Sequence, residues 1–132
     1  MKRIAAVATL ALLAGAGLSC GRDNGPVAGN LSVKLATPNS GADSAIVFTV
    51  TGPTALTGAI AGPGMRVFAQ TLGGTSTKFA LTGRLTQNAV ILTIGVANVG
   101  AVAQYSATIG GVAQANYQLR ALPGGYALSV VR

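Results

Sequence analysis

One sulfur and a few charges make up nearly all the reactive chemistry this chain carries. Cys20 is its single cysteine, histidine and glutamate are absent, and the two acidic residues are Asp23 and Asp43. Paired carboxylates, histidine-based triads and His or Cys metal clusters are therefore excluded by inventory. Ser76 and Lys78 share a strand face at i, i+2, the spacing of a Ser–Lys dyad. An outward strand face is the wrong place for it, because a basic lysine must be desolvated to act. Asn39, Ser40 and Asp43 could offer oxygens to calcium from the turn over residues 37–43. One carboxylate makes a weak calcium site, and the same residues suit a hydrogen-bonded Asx turn. Gly62-Pro63-Gly64 lacks the later glycine and following helix of a phosphate loop. No catalytic residue, metal or cofactor is expected.

The remaining candidates are cations. Lys34, Lys78 and Arg84 fall on the polar phase of their strands, with Arg66 and Arg120 as further members. They read either as charges that solvate and protect sheet edges or as a stripe facing an anionic glycopolymer or lipid headgroups. Removing Lys2 and Arg3 with the leader leaves seven basic residues against two aspartates, a net charge of +5. No stacking aromatics interleave these charges, which argues against nucleic acid. Tyr105, Tyr117 and Tyr126 alternate in phase with apolar neighbours, so all three read as core or core-edge residues. There is no tryptophan, and no aromatic platform for sugar is evident.

Cys20 takes its meaning from what precedes it. Met1-Lys2-Arg3 is a cationic start, and residues 4–18 carry no charge. That run is short for a membrane span, which needs ~20 residues, and right for a signal-peptide core. Ala14-Gly15-Ala16 offers one cleavage site. Gly17-Leu18-Ser19-Cys20 offers another and resembles the lipobox of bacterial lipoproteins, where a small residue precedes the cysteine that becomes the mature N-terminus. Ser19 and Cys20 fit that pattern, whereas Gly17 and Leu18 depart from its commonest form. An exported chain with one cysteine can form no internal disulfide, and acylation removes the thiol while adding membrane affinity. A free thiol or an intermolecular disulfide is the alternative. The resemblance implies lipidation, such as palmitate, at Cys20. Because Gly21 rather than Asp follows, it also implies onward sorting to an outer membrane, with a periplasmic or secreted protein as the alternative.

The rest of the chain must position these groups, and its period is two. Residues 1–19 are expected as signal peptide, 20–30 as lipidated cysteine and flexible tether, and 31–132 as one domain. Leu31, Val33 and Leu35 alternate with polar or small residues, as do Ile46, Phe48 and Val50. A weak strand of small residues is expected over 56–61 and a further strand over 65–71. Phe79 and Leu81 oppose Lys78, Ala80, Thr82 and Arg84. A turn at 86–88 leads to Val90, Leu92, Ile94 and Val96, the most apolar face. A connection at 97–103 precedes Tyr105, Ala107 and Ile109, and Gly110-Gly111 marks a bulge or a bend inside a longer strand. Tyr117 and Leu119 mark a short strand, residues 122–125 a turn, and Tyr126, Leu128 and Val130 the last strand. Eight or nine short strands punctuated by turns predict an all-β, two-sheet sandwich.

The runs at 31–50 and 77–94 resemble strands of cohesin-like domains. The resemblance implies a jelly-roll sandwich related to cohesins and carbohydrate-binding modules. It carries no functional residue over, and no dockerin-type calcium repeat is present. The expected function is that of a non-catalytic, lipid-anchored envelope protein whose sandwich binds an envelope protein or surface polymer. A purely structural envelope component is the alternative, and a carbohydrate-binding module the remoter one.

Overall fold

The computed structural model describes residues 25–121 and 125–132. The expected signal peptide, Cys20 and residues 122–124 lie outside them. Alternating apolar residues become eight strands: β1 (Gly29–Ala36), β2 (Asp43–Thr51), β3 (Gly58–Ala61), β4 (Arg66–Gly73), β5 (Ser76–Leu85), β6 (Val90–Val96), β7 (Ser106–Gln114) and β8 (Ala127–Val131). They form two four-stranded sheets, β3-β6-β1-β8 and β4-β5-β2-β7. Every pair is antiparallel. Four pairs nest inside one another as in a jelly roll, with β4·β5 innermost, then β3·β6, β2·β7 and β1·β8. The pairs β1·β6 and β2·β5 join them within each sheet.

The two inner faces make one core. Leu31, Val33 and Leu35 of β1 meet Leu92, Ile94 and Val96 of β6 on one side. Ile46, Phe48 and Val50 of β2 lie beside Phe79 and Leu81 of β5 on the other. The Phe48 and Phe79 rings sit 5.6 Å apart, tilted by 33°, within the range of favourable aromatic pairs.

Local irregularities reset the alternation. In β6 the pairing steps from Val33↔Leu92 to Lys34↔Val90. Ile91 is therefore the extra residue and points inward, while Val90, expected in the core, is 36% exposed. In β7, Val47 opposes Gly111 and Phe48 opposes Ile109, so Gly110 is the anticipated bulge. Beyond β7 the expected strand around Tyr117 does not form. The chain turns over residues 114–117, with Tyr117 at φ +65°, and Asn116 Oδ1 accepts the Gln118 N–H. A single bridge, Ala113↔Leu119, is all the pairing there. Tyr117 and Leu119 are 76% and 81% exposed, so Tyr117 is not a core residue. Tyr105 and Tyr126, by contrast, are buried and half-buried.

Strand pairing begins before Leu31, within the stretch expected as tether. Gly29 and Asn30 already pair with Val96 and Gly95. Val27 accepts from the Val99 N–H and donates to Asn98 Oδ1. Asn98 caps a 3-10 segment (Val99–Gln104) where a plain connection was expected. The start of β1 and the end of β8 lie at one end of the sandwich, since Ser32 pairs with Val131. The turns at 37–42, 62–65, 86–89 and 114–117 gather at the other end.

Candidate functional site

That turn-rich end carries an open depression on the outer face of the second sheet, about 430 Å³ in volume. Strand pairing assembles its basic rim. Arg66 opposes Thr82, and Arg84 lies two residues further along β5. Between Ala45↔Thr82 and Asp43↔Leu85, two residues of β5 face one of β2. This bulge at Gly83 and Arg84 faces Ser44 and aims Arg84 over the sheet end. The Arg84 guanidinium lies across the turn at Gly41, where an added Cβ would sit 3.2 Å from Nη2. Gly41 has φ +82°, so glycine supplies both the turn and the clearance.

The lining has two kinds of member. Arg66, Arg84, Ser44, Thr82 and Tyr117 present donors. Gly41, Gly64, Gly83 and Tyr117 have φ of +82°, +74°, +144° and +65°. Left-handed backbone thus concentrates where the donors converge, an arrangement that recurs at ligand clamps. Among the described residues no carboxylate lines the depression. Among the described residues Asp43 is the one acidic side chain, against six Lys and Arg, and Arg120 occupies it.

The cations named from sequence do not form one stripe. Lys34 lies on the first sheet, in register with Ser129 and Val90, on the opposite side of the sandwich from Arg84. Lys78 shares the outer face of the second sheet with Arg66 and Arg84, but it opposes Gln70 and Thr49, about 13 Å along the strands from Arg66. Between them runs a strip of Phe68, Ala80 and Val47, part of a second shallow hollow that ends at Lys78. Arg120 leaves the surface set altogether. Its Nε donates to Asp43 Oδ1 at 2.7 Å, and its side chain is 21% exposed.

The turn considered for calcium is built instead as a hydrogen-bonded clasp. Asp43 begins β2 and its side chain is fully buried. Oδ1 accepts from Arg120 and Oδ2 from the Tyr126 hydroxyl. Asn39 Nδ2 donates to that hydroxyl at 2.7 Å, and Ser40 Oγ accepts the Gln87 N–H at 2.9 Å. These oxygens are engaged with donors, which opposes the cation reading. No group of three or more His, Cys, Asp or Glu occurs among the described residues. Ser76 Oγ lies 3.0 Å from Thr51 Oγ1 across the strand pair, and Lys78 is exposed. That is a surface hydroxyl pair rather than a lysine-activated nucleophile.

Sequence reasoning missed Tyr117, Ser44 and the three glycines as partners of Arg66 and Arg84. The polar phase of β4 and β5 placed both arginines on one face once the two strands were paired. Tyr117 had a weaker signal, the turn-forming Asn116 just before it. Among the described residues no helix is long and apolar enough to cross a membrane. Compared with protein families, with curated proteins and with solved structures, the chain finds no match in any of the three.

Proposed function

We propose that this protein is a non-catalytic component of a bacterial envelope, held by a lipid on Cys20, whose β-sandwich binds an anionic surface polymer. The observation that carries the binding reading is the outer face of the second sheet. Arg66, Arg84 and Lys78 stand there with no carboxylate partner among the described residues. Charges that only solvate an edge need no shared face, and these flank a hollowed strip of Phe68, Ala80 and Val47. The scarcity of acid–base side chains in the whole sequence supports a role without catalysis. Lys34, on the other face, is left as a solvating charge.

Salt-dependent co-sedimentation with envelope fragments rich in anionic glycopolymer tests this. Arg66→Glu/Arg84→Glu is expected to weaken association by about tenfold or more and to flatten its salt dependence. Lys34→Glu is expected to leave both unchanged. Equal retention of the double variant and the wild type would refute the reading.

The anchor has its own test. Cys20→Ala is expected to release the protein from the membrane fraction, because two or more acyl chains are needed for stable anchoring and the substitution removes the sulfur. Undiminished membrane partitioning of that variant would overturn lipidation at Cys20.

A further inference from the structure

Resting on the polymer-binding reading, we infer that the depression at Arg66 and Arg84 is a subsite for one phosphomonoester group carried on a sugar unit. The lining selects an anion. Its polar side chains are two guanidiniums and three hydroxyls, with no carboxylate among them. The charge selects the class of anion. Two guanidiniums with no carboxylate partner among the described residues face a group of about −1.5 to −2 when it is a phosphomonoester, whereas a uronate carboxylate leaves one guanidinium uncompensated. The donor count points the same way. Fork-shaped guanidiniums bind phosphate oxygens two at a time. The Ser44 and Thr82 hydroxyls add donors from the sheet floor, matching three oxygens better than two.

The space and its wall select the carrier. About 430 Å³ exceeds what a phosphate fills and leaves room for one ring. Tyr117, 76% exposed, stands at the edge of that space. It is held in left-handed backbone at φ +65°, a conformation unusual for an aromatic residue. An exposed aromatic face gives a sugar ring an apolar surface beside the charged end.

The test is an NMR titration of the purified protein with a hexose 6-phosphate, inorganic phosphate and glucuronate in parallel. The hexose phosphate is expected to saturate one site, with shifts confined to residues 41–44, 64–66, 82–84 and 117. It is expected to bind about tenfold tighter than glucuronate. Arg84→Gln should lower affinity for both phosphates by about tenfold. Tyr117→Ala should remove only the excess of hexose phosphate over inorganic phosphate. Glucuronate binding as tightly as the hexose phosphate would overturn the inference, and so would shifts that never saturate or that spread to Lys34. Tighter capture by phosphatidic acid vesicles than by the hexose phosphate would overturn the sugar carrier in favour of a headgroup. If no small phosphate saturates while envelope polymer is still retained, the subsite falls and the polymer reading stands. If the hexose phosphate saturates but the polymer is not retained, the polymer reading falls.

Discussion

Phe48→Ala is expected to lower the stability of the domain by about 3–5 kcal/mol. Phe48 is fully buried, lies at the centre of β2, and stacks against Phe79. β2 is bonded on both sides, to β5 and to β7, so the backbone around the site has little freedom to collapse into the space left. The loss combines the transfer term for the ring with the cavity. For a domain of this size each kcal/mol moves Tm by about 4–8 °C, so a fall of at least about 12 °C is expected. Phe68→Ala is the control. That ring is 60% exposed on the edge strand β4, and its removal should change stability by less than about 0.5 kcal/mol. Thermal unfolding of both variants decides the matter, and similar Tm values for the two would contradict this account of the core.

Arg120→Ala is expected to cost about 3 kcal/mol, although Arg120 is a partly exposed residue outside any strand. The reason lies in its partner. The Asp43 side chain is fully buried, and losing one member of a buried pair strands the other charge away from water. Tyr126 still donates to Oδ2, which holds the loss near the low end of the range for such pairs. Replacing both charges, as in Asp43→Asn/Arg120→Met, should recover much of the loss, because no uncompensated charge then remains buried. Urea unfolding of the single and double variants measures this. A change below about 1 kcal/mol for the single variant would mean that the buried pair contributes little.

Legibility in the sequence followed the range of the interactions. Ile46, Phe48 and Val50 were readable because period-two alternation is written in neighbouring residues. Gly110 was readable as a bulge because a Gly-Gly pair inside an alternating run seldom has another use. Val90 and Ile91 were not, since both are apolar. Which one points inward depends on how β6 leaves the turn at Asn88 and pairs with β1. Tyr117 and Leu119 imitated a strand through two residues of chance alternation, and the turn at Asn116 prevailed. The Asp43–Arg120 contact spans 77 residues, and no local pattern announces it. The same holds for the depression. Arg66, Ser44, Arg84 and Tyr117 come from four segments, and only the order β4-β5-β2-β7 brings them together.

The clustering of both described chain ends at one pole of the sandwich gives the molecule a front and a back. β1 has eight residues and at about 3.3 Å each spans roughly 26 Å. The Arg66–Arg84 depression lies at the far pole. A surface that grips the N-terminal segment therefore has the depression at about the height of the domain above it, opening sideways from the second sheet. Material running alongside the domain reaches these donors about one strand length from the end that is held. Coupling the chain to a sensor chip through Arg132 reproduces the same posture, so immobilisation at either end leaves the front free.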